Sequence, residues 1–363
     1  MKIKLRNSFL VFLFICKAFG LPRIYVDPYS TEFSSCGNVS TPCKTIKDAL
    51  SNVSEDFTII SLGEGVYRGA GNQNINVSDL TNSKNLSISG VSSASVFIQC
   101  EQIELQKKLS GAGALEINNN SISLLENVTI SSCGWDAANG AVKVSDTSLI
   151  VRNVNFLNNS ASFEGGALSA TSSQDTKYTV KIINCTFVSN KASYHGGALS
   201  IDSADEILIS HSQFYLNSAL GGTLGDNKSL SATGGGRGGA LFVIKSTTLS
   251  IEDCDFNDNT ATQWGGAISV QFPSLSPTAV PLSTSSINEC NFTNNVVFAA
   301  SCTAADSSCD SRGGALYMSN SQISLSKSYF IGNIVSISSG DQVPIFQSVF
   351  FHTLVLSISF LPF

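Results

Sequence analysis

Charged side chains are scarce in this chain of 363 residues, since Asp, Glu, Lys and Arg together make up only 13% of it. The formal net charge is −6, and no run of Lys and Arg interleaved with aromatic residues occurs, which argues against nucleic acid as a partner. Only three His residues are present, and they are too scattered to predict a metal triad. We therefore expect neither a metal nor a cofactor.

Helical periodicity is also lacking, while glycine (29 residues) and apolar residues (42% of the chain) are plentiful. A chain this apolar is not expected to be disordered, and frequent Gly, Asn and Ser disfavour a helical protein. These properties favour a folded protein made of short strands.

The first 20 residues have the three parts of a secretory signal peptide. A basic start with Lys2, Lys4 and Arg6 precedes the apolar residues 9–16, and Ala18 and Gly20 stand at positions −3 and −1 of a cleavage point. A signal anchor is the alternative interpretation. Export agrees with the Asn-x-Ser/Thr acceptors for N-linked glycans. Ten such acceptors occur: Asn38, Asn52, Asn76, Asn85, Asn119, Asn127, Asn158, Asn184, Asn227 and Asn291.

A repeated triplet of small residues ending in Ala determines the fold prediction. The triplets end at Ala114, Ala141, Ala167, Ala198, Ala240, Ala267 and Ala315. An apolar, mostly polar, apolar pattern follows each triplet, and this period of two predicts a strand with one buried face. The outward positions of these strands are Glu116, Lys143, Ser169, Ser200, Phe242, Ser269 and Tyr317.

A second motif, Phe-x-x-Asn, precedes most triplets. Its Phe residues are Phe156, Phe187, Phe214, Phe256, Phe292 and Phe330, and Ile130 begins a degenerate copy. Its Asn residues are Asn159, Asn190, Asn217, Asn259, Asn295 and Asn333, none of which begins a glycosylation triplet.

A unit of about 26 residues cannot bury its apolar face alone, so we expect the units to stack. Two or three short strands per unit, separated by Gly and Asn turns, predict one coil of a single-stranded right-handed parallel β-helix. The Phe side chains should stack between coils, and the Asn side chains should form a ladder inside a turn. The predicted fold class is thus all-β, a solenoid of stacked coils with an N-terminal cap.

Both ends of such a solenoid need a cover. We predict an N-terminal cap and first coils over residues 21–100, with a short helix near residues 45–51 and a disulfide between Cys36 and Cys43. Residues 101–335 form the repeats, and 336–363 form an apolar tail. The tail could be a GPI-anchor signal, a membrane segment, a cap on the last coil or the product of truncation.

The Phe-x-x-Asn and Gly-Gly-Ala-(Ile/Leu/Val) motifs between residues 111 and 333 resemble the repeats of polymorphic outer membrane proteins, which belong to the pectin-lyase-like β-helices. That resemblance implies surface display, and family members in chlamydiae are autotransported surface adhesins. This chain departs from them because it has no room for their C-terminal membrane barrel. The resemblance therefore implies the architecture more than an activity.

The acidic and Cys residues give no pattern that predicts a catalytic cluster. Asp253, Asp255 and Asp258 flank Phe256 and are interpreted as structural. Cys185, Cys254 and Cys290 each precede a Phe by two residues, which predicts buried thiols, although Cys254 could pair with Cys290 in the adjacent coil. Cys302 and Cys309 form the second candidate disulfide.

The residues directly before the triplets vary from coil to coil and are the candidate contact surface. They are Glu164, His195, Arg237, Trp264 and Arg312, with solvated corners as the alternative interpretation. We therefore predict a secreted or surface-displayed, non-enzymatic adhesion or display module that meets cell-surface glycans or proteins, with membrane attachment through the tail as an open question. A carbohydrate-active enzyme and a truncated structural fragment are the alternatives.

Overall fold

A computed structural model describes residues 21–32, 35–77, 85–100, 113–118, 122–134, 139–172, 177–221, 235–272, 284–299, 311–337 and 349–359. Its strands fall into four sets, named a, b, c and d in the order in which the chain enters them within one coil. The a strands follow the small-residue triplets, and the c strands contain the Phe of the Phe-x-x-Asn motif.

Each of these strands pairs in parallel with its counterpart in at least one neighbouring coil. The a strands are Ile75–Asn76, Leu115–Asn118, Val142–Ser145, Leu168–Thr171, Leu199–Asp202, Leu241–Ile244 and Ile268–Gln271. The b strands are Arg23–Val26, Thr58–Leu62, Leu86–Gly90, Ile122–Glu126, Ser148–Arg152, Thr179–Ile183, Glu206–Ser210, Thr248–Glu252 and Thr284–Asn288.

The c strands are Gly65–Tyr67, Val96–Gln99, Thr129–Ser131, Asn155–Leu157, Thr186–Val188, Gln213–Tyr215, Asp255–Asn257, Asn291–Thr293 and Tyr329–Ile331. The d strands are Ser160–Ala161, Lys191–Ala192, Ser218–Ala219, Thr260–Ala261, Val296–Ala299 and Ile334–Ile337. Strand Leu316–Ser326 extends both the a set and the b set, and Val349–Ser359 pairs along its length. The stacking confirms the predicted all-β parallel β-helix, for which a right-handed crossover is the rule.

The core lies inside the coils because alternate strand residues point inward. In the b strand Thr58–Leu62, for example, Thr58, Ile60 and Leu62 are buried while the residues between them are partly exposed. Equivalent residues of successive coils contact each other, since parallel strands lie about 4.8 Å apart. The result is one continuous apolar core running the length of the stack.

The N-terminal end is covered by helix α1, Ile46–Ser51, which buries Ile46, Ala49 and Leu50. The Thr45 side chain caps the helix by accepting a hydrogen bond from the Asp48 amide. A disulfide joins Cys36 to Cys43 beside it. Within the described ranges, no helix combines the length and the apolar character that crossing a bilayer requires.

Candidate functional site

The Phe and Asn residues of the repeat form two inner columns. Neighbouring Phe rings from Phe156 to Phe330 lie 4.6–5.0 Å apart between centroids and within 6° of parallel. In the Asn ladder, Asn190 Nδ2 donates to Asn217 Oδ1 and to the carbonyl of Phe156, each at 3.0 Å. The same Asn217 oxygen accepts from the Asn190 backbone amide. Each ladder Asn thereby satisfies buried groups of two neighbouring coils.

The glycine pair of each triplet sets the position of the residue before it. Gly265 has φ +64°, a conformation that side chains disfavour. A Cβ on Gly266 would lie 2.0 Å from the Gly314 carbonyl oxygen of the next coil, so the backbones meet too closely for any side chain. This sharp turn directs the preceding residue, Trp264 in this coil, out of the stack.

The residues before the triplets form a single row along the molecule, which we call the turn column. Successive members are joined by isolated parallel bridges from one coil to the next. The column contains Asn139, Glu164, His195, Arg237, Trp264 and Arg312. All five predicted contact residues therefore belong to one surface feature, and each is partly buried.

Three turn-column side chains, those of Glu164, His195 and Trp264, are partly buried because each lies over the outward residue of the a strand in the next coil. Glu164 Oε2 accepts from Ser200 Oγ at 3.0 Å, and the His195 ring stacks on Phe242 with 4.4 Å between centroids. The outward a-strand residues are buried as a consequence, with Ser200 1% and Phe242 2% exposed. The sequence pattern does not predict these contacts, because each turn-column residue contacts a strand residue of the next coil and not of its own.

Arg237 lies at the centre of the turn column. Its Nε donates to Gln263 Oε1 at 2.7 Å and its Nη1 to Gln271 Oε1 at 3.2 Å. Its Cζ atom is 3.9 Å from the centroid of the Trp264 ring, which in turn stacks on Tyr317 at 4.7 Å. In the described part of the chain, no carboxylate forms an ion pair with Arg237.

Burial shifts the pKa values of three turn-column residues. It lowers the pKa of His195 to about 4, with a further contribution from the nearby Arg237 charge, so the imidazole is neutral at pH 7. Burial also raises the pKa of Glu164, and Asp202 acts in the same direction. The pKa of Arg237 is lowered by burial as well.

Several buried polar atoms in and beside the turn column accept or donate no hydrogen bond within the described ranges. They are Ser169 Oγ, Ser269 Oγ, His195 Nδ1 and Gln271 Nε2. Ser169 and Ser269 are both 0% exposed. The buried row of outward a-strand positions thus alternates unpaired hydroxyl groups at Ser169 and Ser269 with the rings of Phe242 and Tyr317.

Among the residues that the structure describes, potential metal ligands are dispersed, and the closely spaced Asp253, Asp255 and Asp258 lie in turns or on an outer strand face. Asp253 and Asp258 each directly follow the last residue of a strand, and both have a positive φ in a turn. Asp255 points outward and accepts from Asn291. In the ranges that the structure describes, no group of three or more His, Cys, Asp or Glu could hold a metal ion.

The cysteines adopt two kinds of environment. Cys100 and Cys133 form a disulfide that the sequence spacing did not reveal, because its partners lie 33 residues apart and meet only through coil stacking. Cys185, Cys254 and Cys290 are free and buried. Burial raises the pKa of Cys185 to about 11, and a hydrogen bond with Cys290 together with burial raises that of Cys254. Cys302 and Cys309 lie outside the described residues.

Residues 253–271 match the family profile of the Chlamydia polymorphic membrane protein repeat. The matched segment begins before Phe256, includes Asn259 and the triplet ending at Ala267, and ends with the a strand Ile268–Gln271. The predicted repeat is thereby confirmed in this coil. The match agrees with a cell-surface protein in general terms.

Two solved structures resemble the chain at low identity. Pectin methylesterase from carrot is 10% identical over 93% of this chain and 89% of that chain, with a TM-score of 0.35. ORF18 of Geobacillus virus E2 is 12% identical over 94% of this chain and 66% of that chain, with a TM-score of 0.38. Neither resemblance is close enough to transfer an activity. No curated protein sequence matches the chain.

Proposed function

We propose that this chain is a secreted or surface-displayed β-helix that acts as a non-enzymatic adhesion or display module. The observation that carries the proposal is the match of residues 253–271 to a repeat of polymorphic membrane proteins. The stack also keeps its inner columns constant while the turn column changes its residue at every coil. An invariant scaffold with a variable outer row is suited to recognition.

The turn column and the a strands beside it supply the proposed contact face. Trp264 and Arg312 retain partial exposure in the same row, and Trp and Arg are enriched among residues that dominate binding energies. Cell-surface glycans or proteins are the proposed partners. The hydrogen bonds and ring contacts that fix Arg237 would reduce the entropy lost when a partner binds.

Binding by this face can be tested with the secreted protein on cultured epithelial cells and on a printed glycan array. W264A and R312A should each weaken binding by about tenfold, as expected for the loss of a central contact residue. Y215A, on an exposed residue of the c strands, is the matched control and should bind as the wild type does. Unchanged binding of both turn-column variants would exclude this contact face.

Delivery and attachment are a separate part of the proposal, motivated by the signal-like residues 1–20 and the apolar tail. The full chain should be expressed in a eukaryotic secretory host, and its surface retention measured before and after phosphatidylinositol-specific phospholipase C. Release by the enzyme would establish a GPI anchor, and resistance would favour a membrane segment. Free secretion would remove the anchoring proposal, and failure to be secreted would favour a truncated fragment.

A carbohydrate-active enzyme is the second candidate, and one observation favours it. Glu164 has a raised pKa and lies near Asp202, which comes from the adjacent coil and the same side of the stack. Pairs of carboxyl groups in different environments act as acid and base in glycoside hydrolysis. Release of reducing ends from acidic and neutral polysaccharides that disappears in both E164Q and D202N, but persists in D253N, would establish this activity.

A further inference from the structure

We propose that N-linked glycans at Asn158, Asn184 and Asn291 cover the c-strand side of the β-helix and leave the a-strand side free for contact. This inference rests on the proposed function, because the acceptors are modified only on a secretory route. It goes further by assigning individual modification sites and by defining which side of the molecule a partner can reach.

Asn184 lies in the turn between the b strand Thr179–Ile183 and the c strand Thr186–Val188. The residue is exposed and has φ +51°. Its Nδ2 donates to Asn153 Oδ1 at 2.8 Å. A glycosylated amide keeps one N–H group, so a donor remains on Nδ2 after a sugar is attached.

Asn158 lies at the opposite end of the c strand Asn155–Leu157, also exposed and with φ +55°. Its neighbour Asn159 is 1% exposed and belongs to the inner ladder. Only the outward residue of this Asn-Asn pair begins an acceptor triplet, since Ser160 follows at the third position for Asn158 and Ala161 follows for Asn159. The two adjacent asparagines are thus separated into one acceptor and one structural residue.

Asn291 begins the c strand Asn291–Thr293 and points outward, where its Nδ2 donates to Asp255 Oδ1 at 2.8 Å. Its equivalents in the two neighbouring coils are Asp255 and Tyr329, and Tyr329 is 61% exposed. The outer surface of the c strands is therefore open at this point, with room for a saccharide.

The three acceptors are spaced along one side of the stack. Asn158 and Asn184 belong to adjacent coils but to opposite ends of the c strands. Asn291 lies three coils beyond Asn184, which corresponds to about 15 Å at the usual strand separation. The spacing allows all three glycans to be present together.

The a strands contrast with this side. From Val142–Ser145 to Ile268–Gln271, none of them contains an acceptor triplet. Asn76 is the acceptor at the N-terminal end of the a set, in the strand Ile75–Asn76, and it is partly buried. The proposed contact face from Lys143 to Gln271 is therefore free of acceptors within its strands.

Occupancy is measured first. The chain is produced in a eukaryotic secretory host, treated with peptide N-glycosidase F in ¹⁸O water and digested for mass spectrometry. We expect ¹⁸O-labelled Asp at positions 158, 184 and 291, and the loss of one glycan in each of N158Q, N184Q and N291Q. Occupancy of at least two of the three sites in the secreted protein supports the proposal, and occupancy of fewer overturns it.

Placement is tested by adding a glycan to each side. K143N creates an acceptor triplet with Val144 and Ser145 on the a strands, at a side chain that is 24% exposed. N155T creates an acceptor triplet that begins with Asn153 and Val154, directly before the outer face of the c strands. The glycan on the a side should weaken binding to epithelial cells by about tenfold, whereas that on the c side should leave binding within about twofold.

The double variant K143N/S145A carries the same substitution without an acceptor and should bind more strongly than K143N. The difference between these two variants therefore measures the effect of the glycan apart from the lost contact between Lys143 and Glu116. Weaker binding of N155T than of K143N would overturn the proposed orientation. If the wild type binds no cells while all three sites are occupied, the adhesion proposal fails and the glycan assignment stands.

Discussion

The Asn ladder and the turn column run side by side through the same coils, yet they connect those coils differently. In the ladder, each coil supplies the same residue, and Asn259 bonds to Asn217 and Asn295 directly above and below it. In the turn column, the residue changes at each coil and lies over a residue of another column, as His195 does over Phe242. The ladder repeats the same hydrogen bonds in every coil, whereas the turn column makes a different contact in each coil.

This difference indicates which positions are free to vary. A ladder Asn such as Asn190 donates two hydrogen bonds through Nδ2 and accepts two through Oδ1 in a buried turn, and no other side chain of this length combines two N–H donors with a carbonyl acceptor. A turn-column residue needs only a suitable partner in the next coil, such as Ser200 beneath Glu164 or Tyr317 beneath Trp264. Function can therefore diversify on the outside without changing the stack.

The largest loss of stability is expected from the Phe stack. F256A removes a ring that is 0% exposed and stacks on Phe214 and Phe292, and it should lower the free energy of unfolding by about 4 kcal/mol. Urea unfolding of the secreted protein measures the loss. F298A, at a ring that is 48% exposed, makes the same substitution outside the core and should cost less than about 1 kcal/mol.

The Asn ladder should be nearly as sensitive. N259A leaves the Phe214 carbonyl and two donors of Asn217 without their partner inside the turn, at a cost of about 3 kcal/mol. N257A, on the outer side of the same c strand, is the matched control. Equal urea midpoints for the two variants would contradict the role of the ladder.

In the turn column, the pH dependence of stability should identify His195. Its folded pKa of about 4 lies below the unfolded value, so the unfolded state binds more protons between about pH 4 and 6.5. Acidification from pH 7 to pH 5 should therefore cost about 2 kcal/mol. H195F keeps a ring over Phe242 and should abolish this loss, whereas H211N, at an exposed His, should retain it. Denaturation midpoints at the two pH values give the comparison.

The smallest effect is expected between two neighbouring turn-column residues. A double-mutant cycle of R237A and W264A should yield a coupling energy of about 0.5–1 kcal/mol for the cation–π contact. Combining R237A with F298A provides the reference pair, because those residues share no contact, and its effects should add. A zero coupling between Arg237 and Trp264 would show that their contact does not stabilise the stack.

The inner columns could be predicted from the sequence because each uses one residue type at a fixed spacing within the coil. Phe156 and Asn159 recur as Phe187 and Asn190, so stacking in register places each Phe on a Phe and each Asn on an Asn. The cover over the a strands could not be predicted, because Arg237 bonds to Gln263 and Gln271 of the next coil, residues that share no motif with it.

The position of the contact surface could be predicted from the sequence, but its burial could not. Sequence comparison of the coils selected Glu164, His195, Arg237, Trp264 and Arg312 as one variable position, and the bridges between coils place them in one column. Solvated corners are the alternative interpretation of these positions, whereas the structure shows that their side chains are partly buried. Whether they contact a partner stays a prediction.

By itself, the sequence determined the parallel β-helix, since a period of two between regularly spaced Gly, Asn and Phe positions is satisfied only when coils stack in register. Only the tertiary structure decided which turn side chain covers which strand residue, and that Cys100 meets Cys133. The physical reason is that core burial and ladder hydrogen bonds repeat with the coil, whereas contacts on the outside depend on the length and direction of individual side chains.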